Sequence, residues 1–261
     1  MKFPIAKKSY SQNFLKDQSV IQKIVAAAEI IEGDIVLEIG PGTGVLTRAL
    51  VEAGAKVVAV EADQSLISPL QETFGEHATI VNADILSFMK SAEQLSELGI
   101  KQGEYKLVAN LPYAITSAIL EQFLVHPPCP SRMIVMVQRE VADRIVVKPG
   151  GMSVLSVMCQ LYALCKRVVN VKASAFVPAP KVDSAVVRLD LKAQEGFDPE
   201  SVISLAKQGF SARRKQLHHN LKAGYKDVKE ALVSIGLDPR VRAQELSVED
   251  WVKLTEQIVK K

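Results

Sequence analysis

The sequence predicts a doubly wound α/β sheet with an antiparallel edge strand, followed by a small all-helical domain. Three observations carry this. Short apolar runs alternate with amphipathic helical segments between Ile35 and Gln138, the pattern of a parallel sheet covered on both faces. A glycine-rich turn, Gly-Pro-Gly-Thr-Gly, follows the first of those runs. The last two runs, RVVNVKAS (167–174) and SAVVRLDL (184–191), have no helix between them, so they should pair directly and antiparallel at the sheet edge.

Taken in order, QSVIQKIVAAAEII (18–31) has apolar positions at helical spacing, which Gly33-Asp34 interrupts. IVLEIG (35–40) is a short buried strand, TRALVEAGA a helix, and KVVAVEAD (56–63) a second strand ending in acids. SLISPLQETF is helical, ATIVNAD (78–84) a third strand, and 87–104 a polar, helix-like stretch. YKLVANLPY is the next strand, TSAILEQFLV a helix, and RMIVMVQ (132–138) another strand. After LKAQEGFDPE (191–200) the strands stop and SVISLAKQGFSARRKQLHHNLK, KDVKEALVSIG and SVEDWVKLTEQIVKK all read as helical. The domain boundary is therefore expected at 192/193, giving domains 1–192 and 193–261.

Composition bounds the partners. The chain has 261 residues, 48% hydrophobic and 23% charged, enough apolar material for a large core without staples. Cys129, Cys159 and Cys165 make no C-x-x-C pair, and an odd count without metal spacing points to reduced thiols. The four histidines form no ligand pattern, so no metal is expected. Neither a signal peptide nor a membrane span is apparent, and a cytoplasmic monomer is expected. Net charge is only +3, yet no Asp or Glu falls between Ser201 and Lys226, where Arg213, Arg214 and Lys215 stand together. Lys2, Lys7, Lys8 and Lys16 form a second basic set. Segregated positive charge on a nearly neutral chain marks either a polyanion-facing surface or a solvated helix face.

EIGPGTG (38–44) lies between the first strand and a helix, where glycines let a ligand approach the backbone and helix-start amides face it. Gly40, Gly42 and Gly44 are followed by Val45, where a dinucleotide fingerprint would place its third glycine. The spacing suits a ligand without a pyrophosphate. Glu61, at the tip of the second strand, can accept from both ribose hydroxyls, and Asp84, at the tip of the third, from an adenine amino group. Each could equally cap the helix that follows. Two acids at successive strand ends beside a glycine loop point to an adenosine-containing ligand.

NLPY (110–113) closes the fourth strand at the switch point where such sheets bind ligands. The exocyclic amine of a base is a poor nucleophile because its lone pair is delocalised into the ring. The side-chain oxygen of Asn110 and a backbone carbonyl at Leu111 or Pro112 could hold its two hydrogens and let the nitrogen pyramidalise toward a sulfonium methyl. Tyr113 offers a stacking platform, and Phe176 in FVPAPKVDS could cover the other face of a flipped base. Phe176 could also be a plain core residue.

These residues together resemble the ribosomal RNA adenine dimethyltransferases, and within them the small-subunit type. The likeness runs through KKSYSQNFL, EIGPGTGVLT, VEAD, NADIL, NLPY, FVPAPKVDSAVVRL, FSARRKQLHHNL and RAQELS. It implies a Rossmann-like class I methyltransferase sheet and S-adenosyl-L-methionine as methyl donor, contacted by Asn13, Leu15, Gly40, Glu61, Asp84 and Asn110. It also implies that Asn110, Leu111 and Tyr113 present the target amine. The substrate implied is 16S rRNA in the immature small ribosomal subunit, dimethylated at two adjacent adenosines of its 3′-terminal hairpin loop. Departures from the family pattern include Ser11 before Q-N-F-L, Ala114 after NLPY, and Met152-Ser153. The alternatives are a large-subunit adenine methyltransferase of the macrolide-resistance type, which shares F-x-P-x-P-K-V-x-S, and an assembly factor whose methylation is incidental. The RRKQL segment and the helical C-terminus favour the small-subunit type.

Overall fold

The computed structural model describes residues 12–258; Lys2, Lys7, Lys8 and Ser11 lie outside them. The strands are β1 (Phe14–Leu15), β2 (Ile35–Ile39), β3 (Lys56–Glu61), β4 (Ala78–Asn82), β5 (Tyr105–Asn110), β6 (Arg132–Gln138), β7 (Ala163–Val171), β8 (Phe176–Val177) and β9 (Ser184–Leu191). The helices are α1 (Gln18–Ala28), α2 (Val45–Glu52), α3 (Ile67–Phe74), α4 (Ile85–Phe88), α5 (Ala92–Glu97), α6 (Thr116–Val125) and α7 (Arg139–Ile145). They continue as α8 (Val154–Tyr162), α9 (Pro199–Gly209), α10 (Leu217–Leu221), α11 (Val228–Ser234) and α12 (Val248–Gln257).

Seven strands form one sheet in the order β4-β3-β2-β5-β6-β9-β7. β4, β3, β2, β5 and β6 run parallel, and β9 runs antiparallel to β6, so the sheet has the expected mixed edge. The central strands are buried on both faces: Val36, Leu37, Leu107, Val108, Ile134 and Val135 have no exposed surface. Such strands read as continuous apolar runs because neither face meets water. One exception stands inside β2, where Glu38 is 1% exposed.

The chain forms two compact units. The first takes the residues up to Ala142 together with Leu164–Leu191, the second Asp143–Ala163 together with the chain from Lys192. Residues 143–163, which the sequence leaves inside the first domain, cluster with the second. Within that second unit α8 packs on α9 and α12, so its apolar face (Val157, Met158, Leu161) is covered by helices.

The second unit also breaks the long helical run expected over 201–222. Helix α9 ends at Gly209, where a Cβ would lie 2.5 Å from the Trp251 ring; only glycine lets the buried indole pack so closely. A short 3₁₀ turn, Phe210–Ala212, follows. Asn220 of α10 donates its amide to the carbonyls of Gly209 (2.6 Å) and Ala212 (3.1 Å), tying α10 to the turn that follows α9. Arg213, Arg214 and Lys215 are thereby presented between two helices, all three exposed.

Two strands escape a reading of the sequence because each is only two residues long. β1 and β8 pair antiparallel, Phe14 opposite Val177 and Leu15 opposite Phe176, and Lys16 N–H donates to the Ala175 carbonyl at 2.9 Å. This ribbon fastens the segment before α1 to the chain's 173–177 stretch. Asp17 then caps α1 by accepting from the amides of Ser19 and Val20.

Candidate active site

The carboxyl ends of β2, β3 and β5, together with the loop after β4, surround a cleft of about 1020 Å³ in the first unit. Asn13, Leu15, Gly40, Glu61, Asp84, Asn110, Leu111 and Tyr113 all line it, so the turn, the two acids and NLPY do converge.

The glycine turn is shaped by need. Gly40 has φ +66°, and a Cβ there would meet no protein atom within 4 Å, so the backbone is open to whatever enters the cleft. Gly42 has φ +58°, and its Cβ would press on the Phe14 ring at 3.0 Å. Helix α2 begins just beyond at Gly44 without a side-chain cap, leaving its first amides for a ligand.

Glu61 is 6% exposed. Its two oxygens accept from the amides of Gly42 (3.2 Å) and Asp63 (2.8 Å), which fixes the carboxylate across the turn. Burial raises its pKa, partly opposed by those amides. Asp84 is exposed and its Oδ1 caps α4 through the Ser87 amide at 3.0 Å; the second oxygen is left for a ligand. The capping role and the place on the cleft wall therefore coexist. Gln12 also lines the cleft and donates to Asp63 at 2.9 Å. No periodic signal marks Gln12, although it opens the Q-N-F-L stretch.

A third acid on the cleft wall, Glu38, is one that sequence reasoning missed. It lines the cleft floor, accepts from the Thr47 hydroxyl at 2.6 Å, and is pushed up to about 8 by burial, with nearby Glu61 adding to the rise. An acid inside an otherwise apolar strand was the available signal.

The NLPY turn is held from both sides. Asn110 donates its amide to the Asn13 carbonyl at 3.1 Å, so its Oδ1 remains an acceptor. Leu111 N–H donates to the Met136 carbonyl (3.1 Å). The Pro112 carbonyl receives Ile115 N–H and Thr116 Oγ1, each at 3.2 Å, which leaves the Leu111 carbonyl as the turn's available backbone acceptor. Tyr113 shares a 2.7 Å hydrogen bond with Ser184 at the start of β9, which pins the ring, and burial raises the phenol's pKa.

The remaining expected residues lie elsewhere. Phe176 is 2% exposed, packs in the core beside Phe14 and Leu15, and is not on the cleft wall. Arg213, Arg214 and Lys215 are in the second unit and make no ion pair among the described residues.

The cleft fits S-adenosylmethionine. A buried carboxylate stands at one strand end, a second acid at the next, and a side-chain-free backbone lies at the Gly40 turn, the donor set that a ribose and an adenine call for.

Comparison with known proteins agrees with this chemistry. The family model described as "Ribosomal RNA adenine dimethylase" matches residues 5–260. The "Ribosomal RNA small subunit methyltransferase A" of Rippkaea orientalis is 41% identical over 95% of this chain and 96% of its own length. That of Desulfitobacterium hafniense is 42% identical over 98% and 93%. Among solved structures, a dimethyladenosine transferase from Plasmodium falciparum is 27% identical with TM-score 0.78, covering 92% of this chain and 95% of that one. The 23S rRNA methyltransferase ErmE is 30% identical with TM-score 0.76, covering 94% and 99%. With its whole described length matched and its cleft built for an adenosine-bearing methyl donor, the chain belongs to the ribosomal RNA adenine dimethylase family.

Proposed function

We propose that the protein dimethylates the N6 amine of adenosine in small-subunit rRNA, with S-adenosylmethionine as donor. The finer target is two adjacent adenosines of the 3′-terminal hairpin loop of 16S rRNA in an immature subunit, acted on by a monomer in the cytoplasm. The observation that carries this is the Asn110–Tyr113 turn. It aims a side-chain oxygen, a backbone carbonyl and an aromatic ring into one cleft beside the cofactor wall.

S-adenosylmethionine, when bound, supplies an electrophilic methyl on a sulfonium centre. In the first transfer Asn110 Oδ1 and the Leu111 carbonyl accept the two N6 hydrogens, withdrawing the nitrogen from ring conjugation and directing its lone pair; in the second, one of them accepts the hydrogen that remains. Tyr113 stacks on the base, its ring fixed by Ser184. Catalysis here is positioning and charge stabilisation. As the N–C bond forms, the electron pair of the broken S–C bond stays on sulfur. The cationic amine is held by both acceptors in the first transfer and by one in the second before it loses a proton to water. Arg213, Arg214 and Lys215 supply phosphate contacts that position without reading sequence. The stacking role of Phe176 requires its side chain to leave the core. No helix among the described residues is long and apolar enough to cross a membrane.

The large-subunit alternative rests on the fold shared with ErmE. The small-subunit relatives match at higher identity over nearly the full length of both chains. Mass-spectrometric mapping of N6,N6-dimethyladenosine in rRNA from cells lacking the gene tests the choice. The mark should vanish from 16S rRNA and leave 23S rRNA unchanged; the reverse would overturn the proposal.

A further inference from the structure

A second cavity, of about 300 Å³ and open to solvent, lies in the first unit, lined by Gln138, Arg139, Glu140, Val182 and Asp183. It adjoins the catalytic turn through hydrogen-bonded neighbours. Tyr113 lines the cofactor cleft and its hydroxyl meets Ser184 at 2.7 Å. Ser184 is the residue after Asp183 and the direct register partner of Gln138 across β6 and β9. Tyr113 therefore reaches from the first cavity to the rim of the second.

The lining has the three chemistries a nucleotide needs. Val182 is 46% exposed, one of four large apolar side chains so exposed among the described residues, and offers a face for a base. Gln138 is half-buried at the end of β6 and presents an amide that both donates and accepts. Arg139 is exposed at the start of α7 and offers a cation to a phosphate. The Asp183 carboxylate is already committed: it accepts from Ala173 N–H at 3.0 Å and Lys172 at 3.2 Å, while its carbonyl takes Arg139 N–H at 3.0 Å. These hydrogen bonds tie Asp183 both to the 172–173 segment and to the start of α7.

We propose that this cavity is a second nucleotide subsite, which during the first of the two dimethylations seats the adjoining, still unmethylated base and reads it as adenine through Gln138. The proposal rests on the rRNA reading above. Adenine is the base that a primary amide matches in both directions at once, accepting from N6–H and donating to N7. Single-stranded RNA splays its bases so that such an edge is available. Arg139 holds the phosphate, and Glu140 on the same rim disfavours one on its own side.

The test uses the full-length enzyme, its cofactor and small subunits reconstituted with rRNA in which each nucleotide beside the target is replaced in turn. Methylation is read at the unreplaced adenosine alone, because its neighbour is itself a substrate, and one replacement should lower wild-type kcat/KM there by about tenfold. Gln138→Ala should show that loss already on unaltered RNA and no further loss on the replaced RNA. Gln138→Glu, which keeps the side chain's size, should lose the discrimination likewise. Arg139→Ala should raise KM at unchanged kcat and flatten the salt slope of affinity by roughly 0.7–0.9. Cofactor affinity by calorimetry should be unchanged in all three. Full sensitivity to the neighbour in both Gln138 variants overturns the subsite while leaving the methylation reading intact. A wild type that leaves unaltered subunits unmethylated overturns that reading and the subsite with it.

Discussion

The Thr47 hydroxyl donates to Glu38 at 2.6 Å, joining the end of β2 to the first turn of α2 across the glycine loop. Both side chains are buried, so the cofactor turn is tied beneath by an acid that water does not reach. Burial raises the Glu38 carboxyl from its ordinary 4.5 to about 8. The unfolded chain releases this proton near 4.5, whereas the folded chain keeps it until about 8. Stability from this group is thus complete below about 4.5 and falls as pH rises toward about 8, by at most ~1.4 kcal/mol per pH unit. Glu38→Gln should remove that slope. Urea midpoints at about pH 5 and about pH 8 check it; parallel pH curves for variant and wild type would refute a neutral Glu38.

Glu61 tests the cofactor wall. Glu61→Ala loses the ribose acceptors and also strands the amides of Gly42 and Asp63. Glu61→Gln removes the charge and keeps one oxygen. Charge-assisted hydrogen bonds contribute about 1.5–3 kcal/mol each, so Glu61→Gln should weaken S-adenosylmethionine binding about tenfold and Glu61→Ala more. Calorimetry on folded variants decides, and equal affinity in all three proteins rules out the ribose contact.

Asn110→Ala should slow single-turnover methylation about 100-fold, the scale of removing one preorganised electrostatic interaction. Particle binding should change little. Because Asn110 also bonds the Asn13 carbonyl, saturating cofactor is required. Near-normal turnover under that condition would show that the amine is not held by Asn110.

Phe176 poses a choice between core and stack. Phe176→Ala should cost about 3–5 kcal/mol of stability as a buried aromatic. Phe176→Leu keeps most of the volume and none of the ring. If Phe176 stacks on the flipped base, the leucine variant should fold well and methylate several-fold more slowly. Normal rates in a stable Phe176→Leu protein would leave it a core residue alone.

Reversing Arg213, Arg214 and Lys215 to glutamate should spare cofactor binding and weaken attachment to immature small subunits. For every phosphate these side chains no longer neutralise, the slope of log affinity against log salt should flatten by roughly 0.7–0.9. An unaltered slope would make the segment a solvated face.

Much of the sheet is legible in the sequence because its central strands are apolar on both faces, and runs such as Leu107–Ala109 and Met133–Val137 admit no other use. The cleft is legible where chemistry and strand ends coincide, at Gly40, Glu61 and Asn110. What stays hidden is short or non-local. The Phe14–Leu15 and Phe176–Val177 pair is too brief to show periodicity. The break after Gly209 depends on Trp251, whose ring occupies the space a side chain would need. The allegiance of 143–163 to the second unit depends on helices α9 and α12, which follow it in the chain. Glu38 escapes notice because a strand assignment weighs its neighbours, and Thr47 becomes its partner only once the turn folds back.

The β1–β8 ribbon bears on the order of events at the ribosome that makes this protein. Asn13, Phe14 and Leu15 form part of the cofactor wall, yet the backbone that Phe14 and Leu15 pair with is Phe176–Val177. A growing chain can assemble β2 through β6 from residues already made. It cannot fasten that wall until the β8 segment has left the exit tunnel. The segment before α1 therefore waits for one made much later, and a nascent chain stopped before β8 should hold its cofactor poorly, however well its parallel sheet has formed.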